Sequence, residues 1–258
     1  MDFPLPEMRE YFDLAMQTIG AEPLFTILGH SITNTLLGTL VGDAVIVILV
    51  ILVRRRLSLV PGRLQGAAEG LVDYLHTTTK QVAGDRVSLI FPWVAVFFIY
   101  IGIQNLLGLM PGFGTIGFYR DGTLVPLLRA GTSDLNQTLA LAVVSVVASH
   151  VLSIRANGVR SYIGRFIAIN PLLLFVGLIE LASELTKFLS FSFRLYGNIS
   201  AGELVLGSIG SLVAFVLPVP FLALEILVAV VQAMIFSFLT MAFMTILTEP
   251  HKKGGLGL

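Results

Sequence analysis

From Pro171 to Leu247 the chain stays apolar with one clear interruption, the "PVP" of Pro218–Pro220. Continuous helices on either side of that break would hold about 45 and about 28 residues, and at 1.5 Å per residue the first would reach about 68 Å. That is more than twice the roughly 30 Å of a bilayer core. Such a helix either breaks, near Gly197 or Gly202, or lies strongly inclined. A strongly tilted hairpin is the better expectation, because polar residues recur along the run without turn signals.

The rest of the chain agrees with a membrane setting. Of its 258 residues 55% are hydrophobic and 12% charged, with a mean hydropathy of +0.89, against about 25% charged in soluble domains. Transmembrane barrels alternate along strands of about ten residues, and the apolar runs here are longer. The expected fold is therefore an all-α membrane protein. At about 20 apolar residues per span, about five membrane helices fit: 32–53, 87–110, 135–155, then the hairpin of 171–217 and 219–248. Residues 61–84 are too polar to span. The spacing of Leu64, Ala67, Ala68, Leu71 and Leu75 predicts an amphipathic surface helix there. Residues 111–134, rich in Gly and Pro, read as an external loop with room for a hairpin. Residues 1–31 form an external segment without the marks of a signal or transit peptide, and 249–258 form a tail. All of it makes one membrane domain.

Formal net charge is zero, so bulk electrostatics call for no nucleic acid or other charged partner. The absence of cysteine removes disulfides, thiolate metal sites and thiol nucleophiles. His30, His76, His150 and His251 are too far apart in sequence to suggest a metal centre, and no cofactor is expected. No phosphate-binding glycine loop of the GxxxxGK[ST] type occurs. With five spans, Arg54, Arg55, Arg56, Arg63, Lys80, Arg86, Arg155, Arg160, Arg165, Lys252 and Lys253 fall on one side, and Arg9, Arg120 and Arg129 on the other. Positive charge favours the cytoplasmic face. The N-terminus is expected outside and the C-terminus in the cytoplasm.

Lys187 and Arg194 are the basic residues left outside loops and termini. A charge at mid-bilayer costs at least about 2.5–3.5 kcal/mol on insertion scales and usually marks a pathway. At 100° per residue, Glu180, Glu184, Lys187, Arg194 and Asn198 share a stripe about 80° wide. Glu203 falls off it. Glu225 and Gln232, seven residues apart, share a face that in an antiparallel hairpin meets either the Arg194 stripe or the Glu203 region. Arginine keeps its proton in essentially any protein setting, so Arg194 acts as a fixed charge. A glutamate can take up and release protons. Glutamates on either side of a fixed arginine have the composition of a gated proton path. Plainer roles stand beside this one. Glu184 and Lys187 are spaced as an ion pair, Asn198 and Gln232 can be interhelical hydrogen-bond glue, Asp43 is a packing carboxylate, and His150 is a satisfied interface residue. Arg194 has no acid three or four residues away to neutralise it.

The segment "FRLYGNISAGE" around Arg194 resembles the signature of subunit a of F-type ATP synthases, the membrane stator that faces the rotating c-ring. "NLLGLMPG" (Asn105–Gly112), "SDLNQTLALAV" (Ser133–Val143) and "LVAVVQAMIFSFLTMAFM" agree in the same order. The resemblance implies that Arg194 is the stator charge that holds each ionised c-ring carboxylate and blocks leakage between two aqueous half-channels. It further implies that Glu203, Asn198, Gln232 and Glu225 belong to the proton path and that Glu180 lies near its cytoplasmic half. Glu184 departs from the pattern, so Glu184 and Lys187 either extend the path or only pair with each other. The implied protein is no enzyme in itself. Its partners would be c-ring subunits, b-type peripheral-stalk subunits, lipid, protons and, indirectly, the soluble ATPase head. Its place would be the bacterial cytoplasmic (inner) membrane. The competing readings are a sodium-driven version of the same motor, and a secondary transporter or channel with Arg194 binding an anion. Transporters usually show internal repeats, and none is found here.

Overall fold

A computed structural model describes residues 21–27, 29–55, 57–120, 123–160, 162, 171–212 and 218–249. In chain order the elements are β1 (Pro23–Ile27), β2 (His30–Thr33), α1 (Asn34–Arg55), α2 (Arg63–Ala83), α3 (Val87–Gly108), β3 (Gly117–Arg120), β4 (Thr123–Pro126), α4 (Leu135–Asn157), α5 (Pro171–Leu212) and α6 (Pro218–Thr248). Short 3-10 turns precede α3 and α4. The fold is the expected all-α membrane type. Helix α1, the stretch Arg63–Gly108, helix α4 and helix α6 are each long and apolar enough to cross a membrane. Helix α5 runs unbroken through Gly197 and Gly202 for 42 residues, about 63 Å at 1.5 Å per residue. The expected continuation to residue 217 lies outside the described residues, as do most of the N-terminal segment, Arg56, Arg165, Lys252 and Lys253.

Two elements add detail that helical periodicity does not carry. Residues 23–33 form an antiparallel hairpin, β1–β2, that leads directly into α1. The loop after α3 holds the second hairpin, β3–β4, in the register Gly117 to Pro126 and Arg120 to Thr123. Helix α2 ends at Gly84, whose φ of +56° lets its N–H turn back to the Lys80 carbonyl, a conformation that side chains with a Cβ avoid. Its buried positions are Gln65, Leu75, Thr79 and Ala83. Of the predicted apolar face only Leu75 is buried, and Leu64 and Leu71 are exposed. Gln65 is held by the chain just before the helix, donating to the Ser58 carbonyl and accepting from the Ser58 N–H, both at 3.0 Å.

The chain divides into two compact units, one formed by the residues up to 49 with 101–138 and 194–232, the other by 50–100, 139–193 and 233–258. The second unit has an apolar core: Ile90, Val94, Leu152, Met241 and Met244 pack with Ala83 and Ala148. Phe97 and Phe191 each meet Phe236, with ring centroids 5.3 and 5.0 Å apart. Ser145 and Thr240 join α4 to α6 by a buried hydrogen bond of 2.8 Å. Pro92 sits inside α3, a position that costs one helix hydrogen bond and is tolerated in membrane helices where neighbours compensate.

The first unit buries amide, hydroxyl and guanidinium side chains beside apolar ones such as Ile101, Leu195 and Ile199. Asn34, Thr35, Gln104, Asn105, Arg129, Thr132, Ser133 and Gln232 are all buried there. Asp134 caps α4 by accepting from the Asn136 N–H at 2.9 Å and accepts from Thr35 of α1 at 2.9 Å. Gln137 of α4 accepts from Thr39 of α1, and Gln104 of α3 donates to the Thr39 carbonyl at 3.2 Å and to Asp43 at 3.3 Å. In lipid a buried polar group without a partner costs several kcal/mol, so this ladder makes the position of each helix depend on the others.

Candidate functional site

Parts of four elements in the first unit build the site: α3, α5, α6 and the chain that leads into α4. That chain carries Arg129, which is 7% exposed. Its place is set by Gly38 of α1, where any Cβ would collide with the Arg129 backbone carbonyl. Gly131, two residues on, is closed in by Thr39 and Gln137 in the same way. Held there, the Arg129 guanidinium reaches α5. Its Nη2 and Nε donate to Glu203 Oε2 at 2.7 and 3.0 Å. One carboxylate oxygen takes both donors, and the Glu203 side chain is 27% exposed.

Glu225 of α6 lies against α5 one residue earlier. Both its carboxylate oxygens occupy the space where a Cβ on Gly202 would sit. The helices can approach this closely because Gly202 has no side chain. Glu203 and Glu225 then line one cleft together with Asn105, Gly108, Ala130 and Ala229. The cleft offers about 10 Å³, the scale of a single water. Asn105 donates to the Ala229 carbonyl at 3.3 Å, and its Oδ1 is buried with no hydrogen-bond partner among the described residues. An acceptor buried in this way needs a donor, and water or a protonated carboxyl group supplies one.

Asn198 lies one turn before Gly202. Its Nδ2 donates to Gln232 Oε1 at 2.7 Å, and Gln232 is 2% exposed. The contacts Asn198–Gln232 and Gly202–Glu225 run in opposite senses along α5 and α6, the pairing of an antiparallel hairpin. Both placements left open for the Glu225–Gln232 face are thus used, Gln232 meeting the Arg194 stripe and Glu225 the Glu203 region. Arg194 itself is exposed, in a row with Gly197, Asn198, Ala201, Val205 and Ser208. These residues recur at helical spacing on a face of α5 with little bulk beyond Arg194 and Val205.

Of the remaining residues singled out in the sequence, Glu180, Glu184 and Lys187 lie in the second unit and Asp43 in the first. Glu180 is partly exposed on α5. Glu184 is 8% exposed and pairs with Lys187 at 2.7 Å, so the ion pair read from their spacing is formed. Asp43, expected to be a packing carboxylate, takes the Gln104 contact already described. Among the described residues no group of three or more His, Asp or Glu side chains could hold a metal ion.

Arg129 and Asn105 were not among the site residues expected from the sequence. Arg129 was counted as a charge of an external loop, and nothing in its own neighbourhood marks it. The signal lay in the motifs around it. Asn105 and Gly108 of "NLLGLMPG" line the cleft, and Asp134, Asn136 and Gln137 of "SDLNQTLALAV" fix the start of α4 next to Arg129.

Comparison with known proteins agrees with these motifs. The family described as ATP synthase A chain matches residues 36–245. A protein of Legionella pneumophila (strain Paris) named ATP synthase subunit a is 32% identical over 197 residues, 76% of this chain and 78% of the relative. One from Hahella chejuensis, named ATP synthase subunit a 1, is 34% identical over 212 residues, 82% of each. One from a Bradyrhizobium species, named ATP synthase subunit a 2, is 31% identical over 231 residues, 90% of this chain and 96% of the relative.

Proposed function

We propose, from the premise that this chain belongs to the ATP synthase A chain family, that it is the ion-conducting stator subunit of an F-type ATP synthase and that the ion is the proton. The chain is a multi-pass membrane protein, and its proposed home is the bacterial inner membrane, N-terminus outside. In this reading it forms two aqueous half-channels that load and unload carboxylates on a c-ring. Arg194 attracts each arriving carboxylate in its ionised form and, being a cation that cannot give up its proton, blocks direct passage between the half-channels. Each proton that crosses releases about 2.3 kcal/mol per 100 mV, and the gate ensures that the proton crosses by way of the rotating ring. The b-type subunits and the soluble head complete the machine.

The observation that carries this reading is the surface of α5 around Arg194. Arg194 is exposed in a row whose neighbours include Gly197, Asn198, Ala201 and Ser208. Small residues let a partner helix approach closely in a membrane, and Arg194 supplies on that face the charge that an acidic helix on a ring would seek. Behind that face, Asn198 and Gln232 are joined to each other, and Glu203 and Glu225 share a cleft of water size. This supports one half-channel on the Glu203–Glu225 side. Glu180 is assigned to the other, with Glu184 and Lys187 beside it.

The test is Arg194→Ala in the complete complex reconstituted into vesicles. ATP-driven proton uptake is expected to vanish while the soluble head still hydrolyses ATP. Undiminished pumping in this variant would remove the central assignment.

A further inference from the structure

The second unit gathers three titratable groups, Lys187, His150 and Tyr162, around one buried carboxylate, that of Glu184. Glu184 Oε1 accepts from Lys187 Nζ at 2.7 Å, and Glu184 Oε2 lies 3.7 Å from His150 Nε2 on α4. The other imidazole nitrogen, Nδ1, is 3.1 Å from the Tyr162 hydroxyl. Lys187 rests over the Phe243 ring of α6, 4.4 Å from its centroid. Helix α6 has no ionisable side chain between Ala233 and Thr248. Glu184 and Tyr162 thus face His150 from opposite edges of the ring, and Lys187 holds the other oxygen of the Glu184 carboxylate. The imidazole side chain is 22% exposed and that of Glu184 9%, so the ring is the more accessible of the two.

The partners fix how the ring can be protonated. A lone pair on Nε2 would face a carboxylate oxygen 3.7 Å away, which favours the tautomer with the hydrogen on Nε2. In the neutral ring Nδ1 is then an acceptor, and the Tyr162 hydroxyl donates to it. A second proton can add only at Nδ1, and when it does the tyrosine hydroxyl must turn and accept instead. A hydroxyl rotates freely enough to do this. The carboxylate opposite is already shared with Lys187, which keeps it from locking the imidazolium in place. Of the side chains in this cluster, imidazole is the one whose ordinary proton exchange falls between about pH 5 and 8.

We propose that His150 is a proton-exchange residue of the half-channel on the Glu180 side of Arg194, positioned by Glu184 and Tyr162. It takes a proton at Nδ1 from hydronium of the bath, an O–H bond breaking as the N–H forms, and gives it to water in the path, the N–H breaking as an O–H forms. This assignment rests on the reading of the chain as the stator subunit.

The experiment uses the whole complex in vesicles with the soluble head outward, so that the bath faces this half-channel. ATP-driven pumping is measured against bath pH and divided by the hydrolysis rate of the detached head at the same pH. The wild-type profile is expected to have an inflection between about pH 5 and 8. His150→Asn, which keeps a hydrogen-bonding side chain and loses titration, is expected to abolish the inflection, and Tyr162→Phe to move it. Survival of the wild-type inflection in His150→Asn overturns the assignment, as does a wild-type profile without one. Should His150→Asn fail to assemble, Tyr162→Phe decides, an unmoved inflection counting against the proposal. Arg194→Ala is measured alongside. If it still pumps, the stator reading falls and this one with it. If it does not pump while His150→Asn keeps the inflection, the role of His150 alone is rejected.

Discussion

Arg129 Nη2 lies 2.7 Å from Glu203 Oε2, and Nε of the same guanidinium donates to that oxygen at 3.0 Å. The pair joins the chain before α4 to the middle of α5, and it places a second fixed cation beside a carboxylate of the proposed proton path. Glu225 shares the cleft with Glu203, and among the described residues it has no ion-pair partner. The two glutamates are therefore held differently, Glu203 by the Arg129 guanidinium and Glu225 by its packing against Gly202.

The first prediction concerns that anchor. Removing one member of a buried ion pair costs about 3–5 kcal/mol because the other is left uncompensated, with the lower end expected here since the Glu203 side chain is 27% exposed. Arg129→Gln should lower the thermal inactivation temperature of the assembled complex markedly. The double variant Arg129→Gln with Glu203→Gln should recover most of the loss. A double-mutant cycle without coupling between the two positions would show that the contact does not hold the unit together.

Gly202 and Gly207 on α5 offer a controlled comparison. A methyl group on Gly202 meets the Glu225 carboxylate, whereas one on Gly207 meets nothing within 4 Å. In a helix, alanine is favoured over glycine by about 1 kcal/mol. Gly207→Ala should be neutral or slightly stabilising in the assembled complex. Gly202→Ala should displace Glu225 and cut proton pumping at unchanged hydrolysis by the detached head. Equal pumping by the two variants would argue against a role for the Glu225 position.

Gly38→Ala tests what holds Arg129 from below. Its Cβ would collide with backbone, the Arg129 carbonyl, which cannot swing aside as a side chain can. The expected result is a loss of stability, or of assembly, at least as large as that of Arg129→Gln. Gly70→Ala on α2, with open space around it, should leave both unchanged.

The Asn198–Gln232 contact predicts an asymmetry. Gln232 is 2% exposed and Asn198 is exposed. Truncating Asn198 to Ala leaves the Gln232 amide buried without this partner, at about 1–3 kcal/mol. Replacing both by Leu should cost less in thermal stability than Asn198→Ala alone, while still lowering pumping if the amides belong to the path. Pumping at the wild-type rate by the double variant would reduce the pair to hydrogen-bond glue.

The sequence alone determined the membrane setting, the helix count to within the surface helix, the antiparallel hairpin and the Arg194 signature. These follow from properties that each segment has by itself: apolar length, the PVP break and the spacing of charges along one helix. The Glu184–Lys187 pair was legible for the same reason, since its partners are three residues apart. The tertiary structure decided what opposes what. Arg129 reads as a solvated loop charge until Gly38 allows α1 to approach its backbone, and only then does its guanidinium reach a residue 74 positions away. Glu225 meets Gly202, and His150 meets Glu184, because helices distant in sequence pack at those levels. A buried charge or amide must find its partner wherever packing supplies one, and periodicity along a single segment carries no record of that choice.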